Sequence, residues 1–176
     1  MNPSDAKRIS KFLSLILRHK PEEAGICLDE NGWTNVAILL QKLKISKADL
    51  DYVVKNNDKK RFAYNADQSE IRASQGHSLD VDLKLVAKIP PKQLFHGSAE
   101  KNVDSILKHG LEKRNRQHVH LSFNRETATS VGQRHGTPVI FKIDSLKMQT
   151  DGYAFYQSEN GVWLTDFVPV EYISLD

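Results

Sequence analysis

Five groups of polar residues interrupt otherwise apolar stretches of this chain, and each carries a residue type that could do chemistry. Arg18 and His19 close an apolar helical face. Arg72 stands inside Ile71-Arg72-Ala73-Ser74-Gln75-Gly76-His77-Ser78. His96-Gly97-Ser98 follows the apolar Leu94-Phe95. His118 and His120 flank Val119, so the two-residue period of a strand points both to one side. Arg134-His135-Gly136 ends a short helical pattern. Taken singly, each group also has a structural reading. An Arg-His pair at a helix C-terminus complements the macrodipole, and His-Gly-Ser after a strand can be a turn. His118 and His120 could be a metal pair, but no third ligand of fitting character is evident, so no metal is expected. Ser98 lacks a nucleophile-elbow context, and no acid and histidine can be assigned to it. The chain has no Gly-x-Gly-x-x-Gly and no Walker loop, which disfavours Rossmann or P-loop nucleotide binding.

The elements that must position these residues are legible from periodicity. Ser4–Arg18 reads as a helix, with Ser4 as N-cap and Ile9, Phe12, Leu13 and Ile16 on one face. Pro21 disfavours helical geometry at Lys20, which places Arg18 and His19 at the C-terminal end. Asn35–Leu43 is a second helix, and Ser46 caps a third that carries Leu50, Val53 and Val54. The period then changes. Arg61–Tyr64 and Glu70–Ala73 read as short strands joined by a turn. Three short helices followed by a hairpin is the pattern of a winged helix, a nucleic-acid-binding module that also serves for plain interaction. Ser78–Lys88 alternates like a strand, and Pro90-Pro91 punctuates the chain. The expected domains are therefore residues 1–90 and 91–176. Beyond the prolines, strands are expected at Gln93–His96, His118–Ser122, Val139–Ile143, Val162–Leu164 and Val168–Ile173. Helices are expected at Glu100–His109 and Arg125–Arg134.

Composition narrows the function classes. The 176 residues are 39% hydrophobic and 27% charged, which excludes a disordered tail, a collagen-like fibre and a coiled-coil rod. No apolar run approaches the roughly 20 residues needed to span a bilayer. The N-terminus is charged and lacks an apolar signal core, and the single cysteine, Cys27, cannot form an internal disulfide. A cytoplasmic location and no membrane partner are expected. Residues 1–90 hold 15 Lys and Arg against 12 Asp and Glu, whereas residues 91–176 hold 10 against 10. The first half is thus the one biased, weakly, toward a polyanion.

The motifs Leu17-Arg18-His19-Lys20-Pro21, Ile71-Arg72-Ala73-Ser74-Gln75-Gly76-His77-Ser78, Leu94-Phe95-His96-Gly97-Ser98, His118-Val119-His120-Leu121-Ser122 and Asn160-Gly161-Val162-Trp163-Leu164-Thr165 occur in this order over essentially the whole chain. Together they closely resemble the RNA 2′-phosphotransferase family, called Tpt1 in fungi and KptA in bacteria. The resemblance implies an α+β chain with an N-terminal winged-helix lobe and a C-terminal, mostly β, ADP-ribosyltransferase-like lobe. It implies an enzyme that consumes NAD⁺ to remove an internal 2′-phosphate from RNA, as left at a tRNA splice junction. The 2′-phosphate attacks C1″ of the nicotinamide ribose, nicotinamide leaves, and O2″ then attacks the phosphate. The products are a 2′-OH RNA and ADP-ribose 1″,2″-cyclic phosphate.

The same resemblance assigns residues. Arg18, His19, Arg72 and Arg134 match the family's catalytic tetrad. Guanidinium groups bind phosphate oxygens by bidentate, charge-assisted hydrogen bonds and stabilise charge developing at phosphorus. His19 either binds the phosphate or shuttles a proton to the departing 2′-oxygen. On the NAD⁺ side, His96 matches a residue that hydrogen-bonds the ADP-side ribose. His120 stands where related transferases place a tyrosine, and Val162 where they place a catalytic glutamate. Gly97 would permit close approach of the dinucleotide, and Ser98 and Ser122 would be polar contacts. Ser98 replaces the usual threonine and Phe95 a common tyrosine. The implied partners are NAD and a 2′-phosphorylated RNA, with the protein acting as a monomer. Two alternatives remain open at this level: an inactive winged-helix sensor, and an enzyme that leaves ADP-ribose on a terminal phosphate of DNA or RNA.

Overall fold

Pro3 suits the first position of a helix because the N–H it lacks has no partner there. In the computed structural model, which describes residues 1–176, helix α1 accordingly spans Pro3–Ile16. Its cap is Asn2, whose side chain accepts from the Asp5 N–H at 2.8 Å, and not Ser4. The helix stops at Ile16, and the N–H groups of His19 and Lys20 both donate to the Leu15 carbonyl. Arg18 and His19 therefore sit in the turn beyond α1 rather than in its last turn. A 3₁₀ turn, Pro21–Ala24, follows and closes on Gly25 at φ 60°.

The chain divides into two compact units, Met1–Lys84 and Leu85–Asp176. In the first, a two-residue strand β1 (Thr34–Asn35) leads into α2 (Val36–Leu43), capped by the Asn35 side chain. Helix α3 (Lys47–Lys55) starts with a full capping box. Ser46 accepts from the Asp49 N–H and the Asp49 carboxylate accepts from the Ser46 N–H. Strands β2 (Phe62–Tyr64) and β3 (Glu70–Ala73) complete an antiparallel sheet in the order β1-β3-β2. Its core joins Leu13, Ile16, Leu17, Leu39, Leu50 and Ile71, all fully buried. Each such side chain contributes about 1.5–3 kcal/mol by leaving water.

Ser78–Lys88 forms no strand. Val81 and Leu83 are buried in alternation, as the sequence suggests, but no neighbouring chain supplies a ladder. Only Ala87 forms a bridge, to Tyr156.

The second unit is built from three small antiparallel sheets. Strands β4 (Leu94–Ala99), β7 (Pro138–Ile143) and β11 (Ile173–Leu175) pair in the order β11-β7-β4. Strands β6 (Val119–Leu121), β8 (Tyr156–Gln157) and β9 (Trp163–Thr165) pair as β6-β9-β8, and β5 (Leu111–Glu112) pairs with β10 (Phe167–Val168). Phe95 and Ser122 exchange two backbone hydrogen bonds of 2.9 and 2.7 Å, which tie β4 to the end of β6. Helices α4 (Val103–His109), α5 (Arg125–Gly132) and α6 (Ser145–Thr150) fill the connections. The expected helix at Glu100–His109 begins as a 3₁₀ turn, Glu100–Asn102, and α6 is an addition to the sequence reading. The core centres on Leu94, Leu121, Phe141, Ile143, Met148 and Phe155. The whole is an α+β chain, and no helix is long and apolar enough to cross a membrane.

Candidate active site

Arg18, His19 and Arg72 belong to the first unit, and the structure gathers them around a fourth residue, His77. The turn after α1 is stitched to the segment following β3. The Ser78 N–H donates to the Arg18 carbonyl at 3.0 Å, and the Ser78 hydroxyl lies 2.9 Å from His19 Nδ1. Arg72 is held from the other side. Its guanidinium lies 4.4 Å from the centroid of the Trp33 ring, and its Nη1 makes a long contact of 3.5 Å to the Asn31 carbonyl. His77 is 1% exposed, and neither ring nitrogen makes a hydrogen bond. Burial first, then the charges of Arg18, His19 and Arg72, push its imidazole down to about 4. His77 is thus neutral at physiological pH, and the field that keeps it so is cationic.

The second unit holds a cluster of a different kind. His96 on β4 and His120 on β6 meet through the backbone, with His96 Nδ1 3.1 Å from the His120 carbonyl. A carbonyl oxygen only accepts, so Nδ1 carries the proton and Nε2 keeps its lone pair. Burial, with smaller contributions from Arg116, Arg114 and His135, holds the His96 imidazole below its ordinary value, against the raising effect of that hydrogen bond. His96 is therefore a neutral acceptor at Nε2. His120 has the opposite tautomer. Arg116 Nη1 donates to its Nδ1 at 3.1 Å, which leaves the proton on Nε2. His118 does not join them; it meets the ring of Tyr156 edge-on at 5.8 Å.

Gly97 and Ser98 are buried in the wall behind this cluster. A Cβ on Gly97 would stand 1.7 Å from the Ala128 carbonyl oxygen of α5, so glycine is required there by the helix crossing β4. Ser98 Oγ accepts from Asn102 Nδ2 at 3.1 Å. Ser122 is fixed to Phe95 by the paired backbone bonds. Val162 follows a tight turn in which its N–H donates to Ser158 Oγ at 3.2 Å and Gly161 takes φ 82°. Arg134 is exposed on the turn after α5, its N–H donating to the Val131 carbonyl.

Three residues that the sequence reading left aside belong to these clusters. His77 sits in what reads as loop chemistry, Gln75-Gly76-His77-Ser78. Trp33 lies between a turn and β1, a strand too short to show a period. Arg116 lies three residues before β6. His77 stands inside a quoted motif without an assigned role, and the only sequence signal of Trp33 and Arg116 is proximity to motif residues.

The profile of the family described as RNA 2′-phosphotransferase, Tpt1 / KptA family, matches residues 4–167. A protein of Flavobacterium johnsoniae named "Probable RNA 2′-phosphotransferase" is 56% identical, with 98% of each chain covered. Proteins of the same name from Hahella chejuensis and Trichormus variabilis are 53% and 51% identical. Each alignment covers 96% of this chain, and 94% and 95% of the relative respectively. A profile match over nearly the whole chain, joined to such identities, leaves one assignment: this chain belongs to the RNA 2′-phosphotransferase family.

Proposed function

We propose that this protein removes an internal 2′-phosphate from RNA at the expense of NAD⁺, through a 2′-phospho-ADP-ribosylated RNA. One observation carries this reading: Arg18, His19 and Arg72, distant in sequence, surround a buried neutral imidazole. Such a set is suited to an anion that arrives with several charges. A 2′-phosphomonoester beside a 3′,5′-diester brings about three negative charges, which planar guanidinium groups match by bidentate hydrogen bonds. Three helices and the β1-β3-β2 sheet of the first unit favour a winged-helix lobe. The paired small sheets of the second unit favour an ADP-ribosyltransferase-like lobe.

In the first step a phosphate oxygen forms a bond to C1″ of the nicotinamide ribose, and the C1″–N bond breaks as neutral nicotinamide departs with the electron pair. An ionised phosphate needs no base, in keeping with Val162 where related transferases carry an acid. His96, with its free lone pair at Nε2, accepts a ribose hydroxyl, and His120, Ser98, Gly97 and Ser122 line the same NAD⁺ side. In the second step O2″ loses its proton and attacks phosphorus. The P–O2′ bond breaks, and the RNA oxygen leaves protonated. Arg18, Arg72 and Arg134 stabilise charge on the non-bridging oxygens, and His19 binds the phosphate or passes the proton. The protein acts as a monomer in the cytoplasm, with NAD and a tRNA-like RNA as its partners and no metal.

The test is incubation of the protein with NAD⁺ and an internally 2′-phosphorylated oligonucleotide. Release of the 2′-OH RNA, nicotinamide and ADP-ribose 1″,2″-cyclic phosphate is the expected result. ADP-ribose left on a terminal phosphate of DNA or RNA would instead assign a different acceptor. No turnover of either substrate would overturn the reading.

A further inference from the structure

We infer that Trp33 is a positioning residue for the RNA-phosphate site, acting through Arg72 by holding the guanidinium plane against its indole face. The inference rests on the proposed reading of that site. The strand register brings the two together. Thr34 pairs with Ile71 across β1 and β3, and Asn35 with Glu70, so the same antiparallel register sets Trp33 opposite Arg72. On its other side Arg72 faces Ala63 of β2, too short to reach the guanidinium plane. The ring centroid lies 4.4 Å from Arg72 Cζ, within the range where the ring quadrupole attracts a cation.

Trp33 is itself rigidly mounted. The Asp29 carboxylate accepts from the N–H groups of Asn31 and Trp33 at 2.9 and 2.8 Å. The Asp29 N–H donates to the Trp33 carbonyl at 2.9 Å, and the Gly32 N–H to the Asp29 carbonyl at 3.1 Å. The turn is then bound to the segment after β3. Asn31 Nδ2 donates to the Asp82 carbonyl at 2.7 Å, and the Asp82 N–H to the Glu30 carbonyl at 2.8 Å. Gly32 takes φ 80°, and a Cβ there would meet Val81 Cγ1 at 3.0 Å and His77 Nε2 at 3.4 Å. Tryptophan, arginine and the buried histidine are therefore parts of one framed assembly. An indole face restrains rotation of the guanidinium without itself occupying the edge N–H groups. That is the arrangement a bidentate grip on phosphate needs, and small misplacement of such a group costs about 100-fold in rate.

The test is a cycle of Trp33→Leu, Arg72→Ala and the double variant, read in single turnovers of labelled 2′-phosphorylated RNA with excess NAD⁺. Trp33→Leu should slow the second step about 10- to 30-fold, accumulate the ADP-ribosylated intermediate, and leave the KM for NAD⁺ unchanged. Trp33→Phe, which keeps a ring face, should stay within about threefold of wild type. In the Arg72→Ala background, Trp33→Leu should add less than about twofold, since contacting pairs are non-additive. Equal loss in both backgrounds would overturn the inference, as would a Phe variant as slow as the Leu variant. A second arm needs neither folding of the Leu variant nor substrate. In ¹⁵N-labelled wild-type protein, the Arg72 Nε–H resonance, assigned by its loss in Arg72→Lys, should be ring-current shifted and should move toward its ordinary position in Trp33→Phe. An unshifted resonance overturns the inference. A shifted resonance in a protein that turns over no 2′-phosphorylated RNA upholds the stacking of Trp33 on Arg72 and defeats the proposed function instead.

Discussion

The two units solve opposite electrostatic problems with the same residue types. Around His77 the first unit concentrates permanent cations and keeps the imidazole neutral by burial and by their field. Around His96 and His120 the second unit fixes two histidines as complementary neutral tautomers, one by a backbone carbonyl and one by Arg116. A cationic cluster is suited to gripping an anion and to meeting charge that grows in a transition state. A pair of neutral imidazoles, one acceptor and one donor, is suited to reading hydroxyls and amides. The difference teaches that histidine here is defined by what surrounds it: the ring that ordinarily titrates near neutrality is held uncharged in both places, for different ends.

The sharpest way to break the comparison is to remove a member from each side. In the proposed reaction the second chemical step places more negative charge on the non-bridging oxygens than the first. Arg18→Ala or Arg72→Ala should therefore slow it by about 100- to 1,000-fold and trap 2′-phospho-ADP-ribosylated RNA. His96→Ala should raise the KM for NAD⁺ by about tenfold, the worth of one hydrogen bond, and slow the first step with no intermediate. A time course of labelled RNA resolves substrate, intermediate and product. Arginine variants without a trapped intermediate, beside a His96 variant that accumulates one, would reverse the division of labour.

Salt should separate the units next. Each phosphate contacted by the cationic cluster weakens single-stranded RNA binding by about 0.7 log units per decade of salt. Three contacts would cost roughly 100-fold over that range. Affinity for NAD⁺, which the proposed function assigns to the two neutral histidines beside Arg116, should fall less. Titrations of a 2′-phosphorylated oligonucleotide and of NAD⁺ across one decade of potassium chloride check this, and equal slopes would erase the distinction.

How much of this was legible in the sequence varies with the range of the forces. The Ser46 capping box and the β3 strand were readable because they are settled within a few residues. The cap at Asn2 was missed in favour of Ser4, although Pro3 marked the helix start. The alternation through Ser78–Lys88 correctly foretold burial of Val81 and Leu83, yet a strand also needs a partner, and periodicity does not report one. In the site, Arg18, His19, Arg72, His96 and His120 stood out as polar residues in apolar runs. Trp33 and His77 did not, because their significance lies in what faces them across β1, β3 and the turn between. For Gly97 the family resemblance implies room for a dinucleotide. The structure supplies a nearer reason, the α5 backbone at Ala128.

The finest probe of the contrast is the pH dependence of folding. The His77 imidazole sits at about 4 in the folded protein, below its unfolded value of 6.5. As pH falls below 6.5 the unfolded chain takes up a proton that the folded one refuses, so stability declines, and the decline ends only when His77 is itself protonated near pH 4. Between pH 7.5 and 5.5 this one residue should cost about 1.4 kcal/mol. Burial also holds His96 and His118 low, and their contributions carry the same sign. The quantity to measure is therefore the difference between wild type and His77→Asn, whose side chain does not titrate. Urea unfolding at pH 7.5, 6.5 and 5.5 should give the variant a shallower fall in stability with acid, whatever its absolute stability. A phosphate-bearing ligand offsets the charges of Arg18 and Arg72, so a saturating 2′-phosphorylated dinucleotide should flatten the wild-type slope as well. Parallel slopes for the two proteins would mean that His77 is not held neutral, and the contrast between the clusters would lose its electrostatic basis.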